Sequence, residues 1–154
     1  YYHNGGYILD EVAYQREMSN KQIAEIIKLL PNAIVIADSA EPKSIDEIHM
    51  YGVVILPATK GKGSVSQGIQ FVQNQKISVT RNSVNILKEY RNYCWITDRN
   101  GKIINEPEHE FGHSMDSIRY AFSSLNPEVV EKGQEVQRRH FQTMENRLRN
   151  FSTK

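Results

Sequence analysis

Short apolar runs alternate with helical segments along this chain, and the alternation limits the fold to one class. Residues 33–37 (Ala-Ile-Val-Ile-Ala) and 53–56 (Val-Val-Ile-Leu) are wholly apolar and rich in β-branched side chains, which is typical of central strands covered on both faces. Pro31-Asn32 is expected to end a helix before the first run. Between the runs, Pro42 suits the first turn of a helix and Gly52 its end. This order predicts an α/β fold with parallel neighbouring strands.

Three further helices are expected to begin at serines. Ser19 with Gln22, and Ser64 with Gln67, have the spacing of a capping box, and a third helix follows Ser83. The apolar residues expected to face the core are Ile23, Ile26, Ile27 and Leu30 in the first of these helices, Ile69 and Val72 in the second, Val84, Leu87 and Tyr90 in the third, and Ile45, Ile48 and Met50 in the helix that begins at Pro42.

Asn-Gly pairs predict two hairpin turns. Asn4-Gly5-Gly6 is expected to connect Tyr1-Tyr2 with a strand at 7–14, and Asn100-Gly101 to connect the strands on either side of it. A short strand is expected at 77–79. Because a hairpin needs a strand on each side of its turn, we expect the chain to be a fragment of a protein with at least one more strand upstream.

The composition is that of an ordinary globular domain. The 154 residues fit one domain with one core, and the net charge of +1 with 24% charged residues gives no overall affinity for polyanions. Nucleic-acid binding would therefore require a local basic patch. Cys94 is the single cysteine, which favours a reducing compartment. Since no apolar run is long enough to cross a bilayer, neither a membrane span nor secretion is expected.

An aspartate and a histidine at the start of a predicted helix form the candidate site. His113 and Asp116 are three residues apart, so they project from one turn and could share a metal ion. Asp38 directly follows the apolar run at 33–37, where a carboxylate beside the core needs a partner. Two alternatives remain open: the pair is an ordinary helix start, and Asp38 is a turn residue or N-cap. The apolar face of the helix is expected to comprise Met115, Ile118, Phe122 and Leu125.

If the two carboxylates and the imidazole converge, they suit Mg²⁺ or Mn²⁺, and a pair of such ions can activate water against a phosphodiester. Lys60 and Lys62, on a glycine-rich loop, and Lys43, at a helix start, are candidates for phosphate contacts; the alternative is that they are simply solvated. Arg119 is expected to brace Asp116 rather than contact DNA.

Three segments resemble motifs of the nuclease domain of the large terminase subunit of tailed bacteriophages, and they occur in the same order. Residues 113–121 resemble the pattern in which a histidine precedes an Asp-Ala-Ile/Leu-Arg-Tyr run. Residues 36–43 resemble the second acidic motif, and residues 61–69 the basic loop before a helix. Gly112 stands where many members have Asn, which is expected to alter a hydrogen bond and leave the metal ligands unchanged.

The resemblance implies a ribonuclease H-like mixed sheet flanked by helices, and metal-dependent cleavage of concatemeric double-stranded phage DNA during genome packaging. Asp38 would be the second metal-binding acid, Asp116 the last acid and His113 the neighbouring histidine, with two ions in the complete site. The first catalytic aspartate is expected on a strand that precedes Tyr1, so activity of this chain alone stays open. Alternatives are another ribonuclease H-like nuclease (resolvase or transposase type) and a non-catalytic remnant that binds DNA or the packaging complex.

The resemblance also implies partners and a location. The expected partners are double-stranded DNA, the terminase ATPase domain, and also the portal and the small terminase subunit, in the cytoplasm of the bacterial host. The nuclease domain is expected to span residues 1–126. Residues 127–154 are polar with widely spaced apolar residues, which predicts a helical or flexible tail.

Overall fold

The computed structural model describes residues 1–30, 33–108 and 110–125, and single positions beyond them (135, 138, 139, 142, 143, 146 and 149). The strands are β1 (Tyr2–His3), β2 (Gly6–Leu9), β3 (Val35–Ala37), β4 (Ile55–Pro57), β5 (Ile77–Val79), β6 (Trp95–Thr97) and β7 (Ile103–Pro107), and the helices are α1 (Asn20–Lys28), α2 (Pro42–Met50), α3 (Ser64–Gln73), α4 (Val84–Asn92) and α5 (His113–Ser123). The helix end expected at Pro31-Asn32 and the domain boundary expected at 126 lie outside the described residues.

The chain divides into two compact units. The first unit comprises Tyr1–Glu17 and Lys60–Ser123, and the second comprises Met18–Thr59 with the described residues from Ser124 onward. The first unit therefore holds α5, with His113 and Asp116, and the second holds the end of β3, with Asp38. Among the described residues, no helix is both long and apolar enough to cross a membrane.

A mixed three-stranded sheet lies in the first unit. β1 and β2 pair antiparallel, and β2 pairs parallel with β5. Asn4 and Gly5 have φ angles of 49° and 75°, as the first predicted hairpin turn requires. The strand expected at 7–14 ends earlier, at Leu9, because the following segment leaves the sheet: the backbone N–H of Glu11 donates to Ser83 Oγ at 2.8 Å, beside α4.

The second predicted hairpin is present in the same unit. β6 and β7 pair antiparallel, and Gly101 in the turn has a φ of 79°. The buried face expected for α4 is wrong at two of its three positions: Val84 is 62% and Tyr90 71% exposed. Leu87 is half-buried, and the buried residues of the helix are Ile86 and Glu89. The helix turns the face that contains Glu89 inward, so a charged residue occupies a position that the apolar pattern assigns to solvent.

The two predicted capping boxes have opposite outcomes. At α1, Ser19 accepts from the backbone N–H of Gln22 while the Gln22 side chain accepts from that of Ser19, as predicted. At α3, the N-cap is Gly63 and no side chain caps the helix, so the box expected from Ser64 and Gln67 is wrong. The glycine adopts a left-handed conformation with φ of 78° and takes the N-cap position, so the helix begins one residue earlier than predicted, at the serine itself.

The second unit contains the parallel pair of strands β3 and β4, as the apolar runs predict, together with α1 and α2. The central position expected for both strands is wrong, because among the described residues they form a sheet of two strands. Its buried core consists of Ala24, Ile48, Val53 and Ile55, with Ile23, Ile27, Val35, Ala37 and Ile45 packed against it. The inward positions expected for Leu30 and Met50 are wrong, since these side chains are 39% and 79% exposed. Leu30 lies beyond the end of α1, and Met50 lies only two residues after Ile48, which places it on the opposite side of α2.

Phe122 of α5 packs against aromatic side chains of the first unit. Phe122 is 4% exposed and its ring makes edge contacts with Tyr7 and Phe71, at centroid distances of 4.7 Å and 6.3 Å. Met115 and Ile118 are half-buried. Leu125, expected on the same face, is 45% exposed because α5 ends at Ser123, so that part of the prediction is wrong.

Candidate functional site

His113 and Asp116 lie on the first turn of α5, as the sequence predicts. The carbonyl of Gly112 accepts from the backbone N–H of Asp116 at 2.7 Å, which is the first hydrogen bond of the helix. His113 is exposed, and the Asp116 side chain is 42% exposed. A carboxylate in this turn is favoured by the partial positive charge of the helix N-terminus. The turn therefore presents an imidazole and a carboxylate toward solvent.

Arg119 pairs with Asp116 from one turn further along the helix. Its Nη2 donates to Asp116 Oδ1 at 2.8 Å, and its guanidinium lies 4.6 Å from the ring centroid of Tyr120. Burial lowers the pKa of Arg119, but its interactions with Asp116 and Tyr120 together outweigh burial and raise the pKa above its ordinary value. Arg119 thus stays charged and fixes one of the two carboxylate oxygens of Asp116.

The buried stem of Arg119 passes directly over Gly68 of α3. A Cβ atom at Gly68 would lie 2.6 Å from Arg119 Cγ and 2.8 Å from its Cδ, closer than two carbon atoms can approach. The Arg119 side chain is only 8% exposed, and within the described part of the chain its Nε is buried without a hydrogen-bond partner. The glycine therefore leaves the space that lets Arg119 reach Asp116.

Burial raises the pKa of Tyr93, and the charge of Asp116 raises it further. Tyr93 follows α4 and is half-buried, so it stays a neutral phenol at physiological pH. The surroundings of Asp116 thus combine one buried cation with one neutral hydroxyl.

Asp38 directly follows β3, where the sequence places it, and is exposed. Its Oδ1 accepts from the backbone N–H of Ala40 at 2.8 Å, so it forms a turn that leads into α2, which begins at Pro42. The expected convergence of Asp38, from the second unit, with His113 and Asp116, from the first, stays a prediction.

The basic candidates lie on exposed backbone. Lys60 and Lys62 are exposed in the loop before α3, and Lys60 Nζ lies 5.3 Å from the ring centroid of Tyr120. The cation–π contact holds Lys60 at the ring of Tyr120, which Arg119 also contacts. Lys43 is exposed in the first turn of α2, in the second unit.

The donor set suits a hard divalent cation but is not complete on α5. Carboxylate oxygens with one imidazole are ligands that Mg²⁺ and Mn²⁺ accept. In the part of the chain that the structure describes, no three His, Cys, Asp or Glu side chains are grouped closely enough to hold a metal ion. His113 and Asp116 supply one potential donor of each kind, and the role of Asp38 as a further ligand stays a prediction.

Sequence reasoning missed two residues that determine how α5 is held. Gly68 leaves room for Arg119, and the buried carboxylate of Glu89 accepts from the backbone N–H of Ser114 at 2.6 Å. Both contacts join residues on different helices, so no short motif contains them.

The fold matches a solved nuclease domain. The crystal structure of the g2p (large terminase) nuclease domain from the bacteriophage SPP1 with bound Mn superposes with a TM-score of 0.63 at 34% sequence identity. The match covers 69% of this chain and 63% of that one. The predicted α/β fold of the ribonuclease H-like class is thereby confirmed, and the class defined by fold and sequence is a phage terminase nuclease domain.

The chain belongs to the terminase family. The family model described as "Terminase RNAseH like domain" matches residues 3–124. The terminase large subunit of Bacillus phage SPP1 is 34% identical over 122 residues, which cover 75% of this chain. The PBSX phage terminase large subunit of Bacillus subtilis (strain 168) is 30% identical over 111 residues, which cover 70% of it. The matched regions span 29% and 26% of those relatives, so the chain corresponds to less than a third of either large subunit.

Proposed function

We propose that this chain is the metal-dependent DNA endonuclease domain of a phage or prophage large terminase subunit, which cuts concatemeric double-stranded DNA during genome packaging. The observation that carries the proposal is the pair His113 and Asp116 on the first turn of α5, in a chain that matches the terminase ribonuclease H-like family over residues 3–124. A neighbouring structure at 34% identity that contains Mn supports the use of a divalent ion.

Asp38, Asp116 and His113 are proposed to hold Mg²⁺ or Mn²⁺, two ions in the complete site. When bound, such ions activate a water molecule and stabilise the leaving oxygen of the phosphodiester. Arg119 holds one oxygen of Asp116 at 2.8 Å and leaves the other oxygen for a ligand. Because the arginine approaches from the buried side, it fixes the direction of the carboxylate without closing its exposed side.

The test of this function is nicking of supercoiled plasmid with Mn²⁺ or Mg²⁺, run on this chain and on a form extended upstream of Tyr1. Nicking by either form that stops with excess EDTA is the expected result. DNA binding without nicking by both forms would contradict catalysis and would support a non-catalytic remnant.

Lys60, Lys62 and Lys43 are proposed to contact DNA phosphates. Replacing Lys60 and Lys62 together with alanine should reduce the slope of log binding constant against log salt by about 1.8, since each lost phosphate contact contributes about 0.9. Fluorescence anisotropy with a duplex oligonucleotide at several salt concentrations measures the slope.

The matched control for this double variant is the replacement of Lys21 and Lys28, two exposed lysines on α1, which should leave the slope near that of the unaltered chain. An unchanged slope in the Lys60 and Lys62 variant would remove the loop from the DNA-binding surface.

The proposed partners follow from the packaging role. Besides double-stranded DNA they are the terminase ATPase domain, the portal and the small terminase subunit, in the cytoplasm of the bacterial host. The terminase large subunits that share 34% and 30% identity with this chain support assignment to the large subunit. Residues 1–126 are proposed to form the nuclease domain and 127–154 its tail.

A further inference from the structure

The N-terminus of α5 is capped by a buried carboxylate from another helix. The carbonyl of Gly112 accepts the first hydrogen bond of the helix, which makes Gly112 the N-cap, and a glycine has no side chain to cap the next backbone N–H groups. One of these groups, that of Ser114, donates instead to Glu89 Oε2 at 2.6 Å. Glu89 is 3% exposed and belongs to α4, so the cap comes from a different helix.

Both oxygens of Glu89 have a short hydrogen bond. Oε2 accepts from Ser114, and Oε1 accepts from the hydroxyl of Tyr14 at 2.6 Å. The hydrogen bond to Glu89 is the largest cause of a raised pKa of Tyr14, so the phenol stays protonated and remains a donor. Each oxygen of the carboxylate therefore has its own donor, and the oxygen that accepts from Ser114 is not the one that Tyr14 contacts.

The negative charge of Glu89 is disfavoured by its own helix and favoured by α5. Glu89 lies in the second half of α4, where a negative charge is disfavoured by the partial negative charge of the helix C-terminus. Its carboxylate meets the N-terminus of α5, where a negative charge is favoured. The charge therefore stabilises the start of α5 at some cost to its own helix.

A second glutamate anchors α4 in the same way. Glu11, in the segment after β2, accepts from the backbone N–H of Ile86 at 2.9 Å and from Asn85 Nδ2 at 2.6 Å. The backbone N–H of Glu11 donates to the fully buried Ser83. The segment after β2 thus fixes the start of α4, and Glu89 of α4 fixes the start of α5.

From this arrangement we propose that Glu89 is a positioning residue for the metal site: by holding Ser114 it fixes the turn from which His113 and Asp116 project. The expected effect on metal binding rests on the proposed function. The contact between Glu89 and Ser114 rests on the hydrogen bond alone. Partners of metal ligands commonly contribute about 10- to 100-fold to metal affinity or activity, and Glu89 acts through the backbone between two ligands.

The test combines Glu89→Gln with a control that perturbs the same carboxylate from its other side. Glu89→Gln removes the charge and leaves a neutral acceptor, so hydrogen exchange of the Ser114 amide should quicken about tenfold and Mn²⁺ affinity should fall about tenfold. Tyr14→Phe removes the other donor and leaves the bond to Ser114 intact. It should lower thermal stability while exchange at Ser114 and Mn²⁺ affinity stay within about twofold of the unaltered chain. NMR exchange and isothermal titration calorimetry with MnCl₂ measure the two quantities.

A comparison inside the unaltered chain keeps the test valid even where Glu89→Gln does not fold. Ser114 and Lys43 are both second residues of their helices, but α2 has no side-chain cap. After correction for intrinsic rates, the Ser114 amide should exchange at least about tenfold more slowly than that of Lys43.

Equal protection of the two amides, or equal loss of Mn²⁺ affinity in Glu89→Gln and Tyr14→Phe, would overturn the positioning role. A third outcome is faster exchange at Ser114 in Glu89→Gln, in a chain that neither binds Mn²⁺ nor cuts DNA. It would support the role of Glu89 in holding the start of α5 and would contradict the proposed nuclease function instead.

Discussion

Asp116→Asn should abolish Mn²⁺-dependent nicking. The asparagine side chain keeps an oxygen acceptor for Arg119 but has no negative charge to hold a divalent ion, so the fold should survive while metal affinity is lost. Even partners of metal ligands contribute about 10- to 100-fold, so loss of a ligand should reduce the nicking rate by roughly a hundredfold or more. Initial rates of plasmid nicking, with circular dichroism melting of the same sample, separate lost chemistry from lost stability.

Asp38→Asn should have the same effect if Asp38 shares the site. The matched control is Asp46→Asn, which changes an exposed aspartate on α2 and should leave the nicking rate unchanged. Normal cutting by both the Asp38 and the Asp116 variants, with a folded chain, would contradict the assignment of both residues as metal ligands.

Gly68→Ala should destabilise the chain, although alanine is the better helix former. In an open helix position the change would stabilise by about 1 kcal/mol. Here the added Cβ would lie 2.6 Å from Arg119 Cγ, and overpacking of a buried site costs about 1–3 kcal/mol. The clash should prevail because the Arg119 stem cannot move away without leaving Asp116. We expect a lower free energy of unfolding in urea and weaker Mn²⁺ binding by calorimetry.

The control for this variant is Gly61→Ala. A Cβ at Gly61 would meet no atom within 4 Å, so its free energy of unfolding should stay within about 0.5 kcal/mol of the unaltered chain. If Gly68→Ala is as stable as the unaltered chain and keeps full Mn²⁺ affinity, the passage of Arg119 over Gly68 does not determine the position of the Asp116 carboxylate.

Local features of this fold could be predicted because their determinants lie within a few residues of one another. The capping box of Ser19 and Gln22 and the two Asn-Gly turns each depend on a single short segment. The failed box at Ser64 shows the limit of this reasoning: the same spacing is present, but Gly63 adopts the left-handed conformation at the helix start and displaces the serine from the N-cap.

Tertiary contacts decided the features that sequence reasoning missed. The buried face of α4 contains Glu89, whose burial depends on Tyr14 and Ser114, residues far from it in the chain. A charged side chain interrupts the apolar stripe, so periodicity assigned that face to solvent. A signal was present in the sequence all the same: Gly112 cannot cap α5 with a side chain, which leaves the first backbone N–H groups of the helix to water or to an acceptor from another element.

The candidate site shows the same division. The pair His113 and Asp116 could be predicted as neighbours because they share one helical turn, and Asp38 could be placed at a strand end because an apolar run precedes it. Whether the three side chains meet depends on packing between distant segments, which no local spacing encodes.

The most direct test of the central claim is a crystal structure of the chain grown with Mn²⁺, with diffraction recorded at the manganese absorption edge. We predict an anomalous peak bonded to the carboxylates of Asp38 and Asp116 and to the imidazole of His113. Manganese bound elsewhere, or Asp38 and Asp116 directed away from each other with no ion in common, would contradict the proposed metal site.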